Sequence, residues 1–97
     1  MRHLRIVVHG RVQGVGYRAW LAEEARRRGI EGWARNRSNG TVEAVLGGAD
    51  AAIDQLLDVC REGPPAAQVT DIETHRADAA SAALRPAGTR FGVLPTL

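Results

Sequence analysis

Residues 9–18 read His9-Gly10-Arg11-Val12-Gln13-Gly14-Val15-Gly16-Tyr17-Arg18, and they separate an apolar run from a helical pattern. Glycine permits positive φ and a close approach of the backbone to a ligand. Successive N–H groups in such a turn can converge on an anion, and the start of the following helix adds its own unpaired N–H groups. Arg18 lies at that start, where its planar guanidinium can bind phosphate oxygens. The stretch therefore predicts a phosphate-binding loop with one fixed cation.

The glycine pattern alone is not specific. No Lys-Ser/Thr pair follows the glycines, as a Walker A loop requires, and the spacing is not Gly-x-Gly-x-x-Gly. On glycine content alone, a tight strand-to-helix turn fits as well as an anion site. A lone arginine such as Arg18 is usually solvated and distinguishes the two only slightly.

The composition describes a small globular protein. The chain has 97 residues, of which 44% are hydrophobic and 25% charged. We therefore expect a single domain over residues 1–97 with one modest core. No apolar run approaches transmembrane length, and residues 1–4 lack the apolar stretch of a signal peptide. We expect a cytoplasmic monomer with no membrane association.

The charge pattern does not favour a nucleic-acid partner. All 13 cationic residues are arginine, the net charge is only +2, and the arginines are interleaved with Asp and Glu. RNA-recognition modules stack bases on aromatic residues of their central strands. The corresponding segments here, residues 4–8 and 41–46, hold no aromatic residue. We therefore expect no nucleic-acid partner.

Hydrophobic spacing predicts the elements of the first half of the chain. Alternation predicts a strand over residues 4–9, and a four-residue repeat predicts a helix over residues 17–28 that ends at Gly29. Residues 32–37 and 41–46 flank an Asn-Gly turn, which is the strongest short hairpin signal. We expect the Gly47-Gly48 pair to end the second strand of this hairpin.

The second half of the chain completes a recognisable order of elements. An amphipathic stripe predicts a helix over residues 50–61, with Asp50 as a candidate N-cap. Residues 69–76 and 90–94 have strand character, and the alanine-rich residues 77–87 fit a loop or a short helix. The order is the split βαβ plan of α+β ferredoxin-like folds. We therefore expect an antiparallel sheet with two helices on one face.

Asn36 is a second candidate for the site. It lies near the end of the second predicted strand, just before the turn. Taken alone, a turn-proximal Asn most often bonds local backbone. If the fold brings it beside the glycine loop, its amide can hold a water molecule over a bound phosphate.

The remaining reactive side chains indicate no metal or cofactor. His3, His9 and His75 occur singly, without the spacing of metal ligands. Cys60 is the only cysteine and lies on the apolar stripe of the second helix. A buried structural thiol is therefore a better interpretation than a nucleophile.

Two blocks of the sequence, taken together, resemble one enzyme family. Residues 10–18 closely resemble the signature loop of acylphosphatases. Residues 32–36 with residues 39–43 resemble the family's second block, and residues 63–66 resemble its run into the fourth strand. The resemblance covers the chain to about Arg76. The two blocks at this spacing form a far more specific signal than either block alone.

The resemblance implies a small ferredoxin-like enzyme that hydrolyses the carboxyl-phosphate bond of small acyl phosphates, with no metal and no cofactor. By matching position, it implies that Arg18 binds the phosphate and that Asn36 orients the attacking water. It also implies a phosphate site completed by loop N–H groups. These belong to Val12, Gln13, Gly14, Val15, Gly16 and Tyr17.

Three features depart from the family's usual pattern. Tyr17 stands where the family more often has phenylalanine, and residues 77–87 match no pattern of the family. The chain ends Leu94-Pro95-Thr96-Leu97 instead of in an aromatic-ended strand. One alternative to an enzyme is a non-catalytic, phosphate-binding or partner-dependent module of the same fold. Such a module would bind phosphate without turnover.

Overall fold

The chain forms five strands and three helices. The computed structural model describes residues 1–97. Its elements are β1 (Arg2–Arg11), α1 (Tyr17–Arg27), β2 (Glu31–Asn36), β3 (Val42–Gly48), α2 (Asp50–Glu62), β4 (Gln68–Arg76), α3 (Ala79–Ala82) and β5 (Phe91–Val93).

The five strands form one sheet in the order β4-β1-β3-β2-β5. The pairs β4–β1, β1–β3 and β3–β2 are antiparallel, whereas β5 pairs with β2 in parallel. Strands β4 and β5 lie at opposite edges of the sheet, and the segment between them crosses the sheet to bring β5 beside β2. The expected ferredoxin-like α+β fold is confirmed.

The two faces of the sheet are covered differently. Helices α1 and α2 pack on one face, over a core that includes Ile6, Val8, Ala34, Ala44 and Leu46. The opposite face carries a smaller apolar cluster of Trp33, Val45 and Ala82, where the short helix α3 rests. None of the three helices has the length and apolar character that crossing a membrane requires.

Two local expectations are wrong. Gly47 and Gly48 do not break β3 but are its last two residues, paired with His3 and Arg2. A Cβ on Gly47 would lie 3.0 Å from the His3 ring, so glycine serves close packing here. Asp50 is not the N-cap of α2: Ala49 holds that position, without a side-chain hydrogen bond, and Asp50 begins the helix.

The alanine-rich segment that the sequence left open forms α3 followed by a loop. Asp78 caps this short helix, because its Oδ1 accepts two hydrogen bonds from Ser81, one from the backbone N at 2.8 Å and one from Oγ at 2.9 Å. Ala82 is buried against the far face of the sheet. The cap and this contact fix the segment that leads to β5.

The predicted β2–β3 hairpin is present. The side chain of Asn39 closes its turn by accepting hydrogen bonds from the backbone N of Thr41 at 3.1 Å and from its Oγ1 at 2.7 Å. Gly40 has a φ of 91°, which a side chain would disfavour. The hairpin places Asn36 at the last position of β2.

Candidate active site

The loop between β1 and α1 presents an uncapped helix start. Gly14 and Gly16 have φ angles of 74° and 78°, and a Cβ on either would meet nothing within 4 Å. Glycine is therefore favoured at both positions by the positive φ, not by a lack of room for a side chain. Gly16 is the N-cap of α1, with no side-chain hydrogen bond and no acidic residue in the first turn. The first N–H groups of α1 are thus available to an anion.

A cavity of about 210 Å³ opens at this helix start. It brings Arg18 and Asn36 together with most of the predicted loop residues. Its nine lining residues are Val12, Gln13, Gly14, Gly16, Tyr17, Arg18, Ala19, Asn36 and Val93. Val15 is the one candidate that does not line the cavity, since its side chain packs against the core. Ala19 and Val93 are not among the predicted site residues: Ala19 lies in the first turn of α1, whereas no sequence signal marks Val93.

Arg18 supplies the positive charge of the cavity. Its side chain is half-buried, and Nη1 donates a hydrogen bond to the backbone carbonyl of Leu94 at 3.3 Å. Arg18 forms none of the ion pairs of the structure, which involve other arginines and two histidines. Its charge is therefore not neutralised by a carboxylate of the protein.

Asn36 is held by its backbone and leaves its side chain free. Its carbonyl accepts a hydrogen bond from the N–H of Leu97 at 3.0 Å, whereas its amide group makes no hydrogen bond within the protein. The Leu97 carbonyl accepts in turn from Ser38 at 3.1 Å. The last residues of the chain therefore run beside β2 and reach both site candidates. The sequence pattern did not predict this arrangement.

Gln13 connects the loop to the hairpin that carries Asn36. Its side-chain Nε2 donates to the backbone carbonyls of Arg37 at 2.7 Å and Thr41 at 2.9 Å. These bonds engage both N–H donors of the amide. The Gln13 side chain therefore positions the two halves of the cavity relative to each other.

Tyr17 contributes its backbone to the cavity but directs its hydroxyl away from it. The ring is fully buried, and the hydroxyl donates to the backbone carbonyl of Cys60 at 2.7 Å. Burial raises the pKa of the Tyr17 hydroxyl far above its ordinary value. The hydroxyl that distinguishes this chain from the usual phenylalanine is thus hydrogen-bonded to the backbone of α2.

No acid or base lines the cavity, because its nine residues include no carboxylate and no histidine. Outside it, His9 and His75 contact Glu73 on the opposite face of the sheet. No three His, Cys, Asp or Glu side chains are grouped closely enough to hold a metal ion. Cys60 is buried, and burial raises the pKa of its thiol to about 12. The reactive groups nearest the cavity are therefore the Arg18 guanidinium and the Asn36 amide.

A sequence model described as acylphosphatase matches residues 4–85. The chain belongs to the acylphosphatase family. It is 52% identical over 94 residues to an acylphosphatase of Azorhizobium caulinodans, covering 97% of this chain and 96% of the relative. It is 48% identical over 93 residues to an acylphosphatase of Rhodopseudomonas palustris (strain BisB5), covering 96% and 94%.

Solved acylphosphatases share the fold. The crystal structure of acylphosphatase from Bacillus subtilis superposes with a TM-score of 0.84 at 35% identity, covering 97% of this chain and 99% of that one. The function is accordingly that of an acylphosphatase, a hydrolase acting on acid anhydrides with small acyl phosphates as substrates.

Proposed function

We propose that this chain hydrolyses acyl phosphates without a metal ion, through Arg18, the loop N–H groups and Asn36. In this proposal Arg18 and the N–H groups of the loop and of the first turn of α1 bind the phosphate, and Asn36 orients the attacking water. One observation carries the proposal: an arginine without a carboxylate partner, an uncapped helix start and a free amide line the same cavity.

The chemistry makes modest demands on the protein. An acyl phosphate is a mixed anhydride, so its carboxylate is a good leaving group. A bond forms between the water oxygen and phosphorus, and the phosphorus–oxygen bond to the carboxyl group breaks with its electron pair leaving on the carboxylate. The protein must hold the phosphate, stabilise its charge and aim the water. A guanidinium and backbone N–H groups supply the positive charge that a metal ion would otherwise provide.

The attacking water must lose a proton. No carboxylate or imidazole lines the cavity to accept it, and the Tyr17 hydroxyl is engaged with Cys60. We therefore assign the proton to an oxygen of the substrate's own phosphate. The products are then the free carboxylate and inorganic phosphate, and no group of the protein changes its protonation state.

The proposal includes a single domain over residues 1–97 that acts as a cytoplasmic monomer without a nucleic-acid partner. Neither of the central strands β1 and β3 carries Phe, Tyr or Trp, which supports the absence of a nucleic-acid partner, and Trp33 on β2 is buried beneath Ala82. Sedimentation tests the monomer, and cell fractionation tests the location. Salt-sensitive RNA binding would contradict the absence of a nucleic-acid partner.

Hydrolysis of benzoyl phosphate in the presence of EDTA tests the proposed function. We expect turnover that survives chelation, is lost in Arg18→Ala and is retained in Arg27→Ala. Arg27 is a matched control, because it is an exposed arginine on the same helix whose contact is an ion pair with Glu24. Folded wild-type protein that binds inorganic phosphate but shows no turnover would instead favour the non-catalytic phosphate-binding module.

A further inference from the structure

A buried carboxylate lies directly behind the candidate water-orienting residue, on the opposite face of the sheet. Glu43 in β3 is only 4% exposed. Its Oε2 accepts from Nε of Arg5 at 2.6 Å, and its Oε1 accepts from Nε of Arg35 at 2.7 Å. Arg37 adds a longer contact of 3.4 Å from Nη1. One carboxylate thus joins β1, β2 and the first residue after β2.

The charge balance keeps this carboxylate ionised. Burial by itself would raise the pKa of Glu43, but hydrogen bonds from Arg5 and Arg35 outweigh it, so the pKa lies below its ordinary value. A buried ion held by several donors has little freedom to reorient. The guanidinium of Arg35 is further restrained because it lies 4.8 Å from the centre of the Trp33 ring. The cluster of Glu43, Arg5, Arg35 and Arg37 is therefore an ordered unit.

The alternation of β2 connects this cluster to the cavity. Successive side chains of a strand point to opposite faces, so Asn36 lines the cavity while its neighbours Arg35 and Arg37 reach Glu43. Arg35 and Glu43 are also direct cross-strand partners. The residues on either side of Asn36 are thus attached to the same carboxylate.

The backbone of Arg37 is held from the cavity side as well. Its carbonyl accepts from Nε2 of Gln13 at 2.7 Å, and its N–H donates to the carbonyl of Thr41 at 2.9 Å. The phosphate-binding loop and the Glu43 cluster therefore hold the same short segment from opposite faces. The direction of the Asn36 amide depends on the conformation of this segment.

We propose that Glu43 is a positioning residue, which fixes Asn36 over the bound phosphate by anchoring Arg35 and Arg37 on the far face of the sheet. This inference rests on the role proposed for Asn36. It requires that loss of the Glu43 charge lowers the rate of the chemical step and leaves phosphate binding by Arg18 intact. A merely structural role for Glu43 would not produce that separation.

The test measures kcat for benzoyl phosphate and the inhibition constant of inorganic phosphate in Glu43→Gln, Asn36→Ala and the double variant. We expect Glu43→Gln to lower kcat about tenfold and to change the phosphate inhibition constant by less than about twofold. In the Asn36→Ala background, the same substitution should change the residual kcat by less than about twofold, because two residues acting as a unit are not additive. Equal loss of rate and phosphate affinity, or losses that multiply in the double variant, would overturn the proposal.

Two further variants complete the kinetic series. Glu73→Gln is the matched control, because Glu73 lies on the same face and contacts only His9 and His75; it should keep wild-type kcat. If Glu43→Gln fails to fold, Arg35→Gln replaces it, since Glu43 then retains Arg5, and the same rate loss without loss of phosphate affinity is expected. An unchanged kcat in folded Arg35→Gln would contradict the anchoring of Asn36.

An NMR measurement tests this inference independently of the proposed function. The side-chain amide resonances of Asn36, assigned by their loss in Asn36→Ala, should shift in Glu43→Gln and stay in place in Glu73→Gln. This readout does not depend on turnover. An inactive wild-type protein would overturn the proposed function, whereas an unmoved Asn36 amide would overturn the positioning role of Glu43.

Discussion

The guanidinium of Arg18 donates to the backbone carbonyl of Leu94 at 3.3 Å. Three residues further on, Leu97 donates its N–H to the carbonyl of Asn36 at 3.0 Å and accepts from the N–H of Ser38 at 3.1 Å. One four-residue segment therefore contacts both residues to which we assign the chemistry. The C-terminal residues form part of the site through their backbone, although they supply no catalytic side chain.

Removal of residues 96–97 should reduce activity more than stability. The truncated chain loses both Leu97 hydrogen bonds, while the Leu94 carbonyl, still in an amide bond to Pro95, braces Arg18. The phosphate site therefore persists and Asn36 is less well oriented. Since a small misplacement of a positioned group slows the reaction strongly, we expect kcat to fall about tenfold with a small change in melting temperature. The control is Thr96→Ala, which keeps the backbone. Full activity of the truncated chain would show that the tail does not position Asn36.

Gln13→Ala should loosen the loop from the hairpin. The carbonyls of Arg37 and Thr41 both lose a side-chain donor. We expect a loss of about 1–2 kcal/mol in the free energy of unfolding, measured in urea, together with weaker inhibition by phosphate. Gln68→Ala is the control, because Gln68 is an exposed glutamine at the start of β4. An unchanged phosphate affinity in Gln13→Ala would mean that the loop holds its shape without this connection.

Tyr17→Phe should lower the stability of the protein and leave its catalysis unchanged. The variant removes the hydroxyl that donates to the Cys60 carbonyl at 2.7 Å, a buried contact between α1 and α2. We expect a loss of about 1 kcal/mol in unfolding free energy. We expect kcat/KM within about twofold of wild type, because the hydroxyl does not face the substrate. A large loss of activity without loss of stability would assign the hydroxyl a role in the reaction.

The pH dependence of stability should report the Glu43 cluster. Because the pKa of Glu43 is lower in the folded protein than its ordinary value of 4.5, its contribution to stability is complete above 4.5. That contribution is lost as the pH falls through the lower folded value. The free energy of unfolding should therefore decline below about pH 5, and less steeply in Glu43→Gln. Parallel pH curves for the two proteins would contradict a lowered pKa.

The sequence contained enough to predict the order of elements and the loop, since both depend on local patterns. Strand alternation, the Asn-Gly turn and the repeat after Tyr17 each act over a few residues and survive in the structure. Gly47 and Gly48 were misjudged because their role depends on His3 and Ile30, which are distant in sequence.

The parts of the site that escaped prediction all depend on long-range contacts. Val93 reaches the cavity only because β5 pairs with β2, which places Val93 beside Ala34, far earlier in the chain. The tail contacts of Asn36 and the arginines around Glu43 likewise involve backbone and charge pairings that no spacing rule encodes. Taken alone, the Asn36 side chain favoured a contact with local backbone, whereas the fold places it in the same cavity as Arg18.

The most direct test of the account compares kcat for benzoyl phosphate with the inhibition constant of inorganic phosphate in wild type, Arg18→Lys and Asn36→Ala. We expect Asn36→Ala to lower kcat about 100-fold and to leave phosphate inhibition nearly unchanged. We expect Arg18→Lys to lose both turnover and phosphate inhibition, since a point charge does not replace a bidentate guanidinium. Near-wild-type turnover in Arg18→Lys, or equal losses of rate and phosphate affinity in Asn36→Ala, would contradict it.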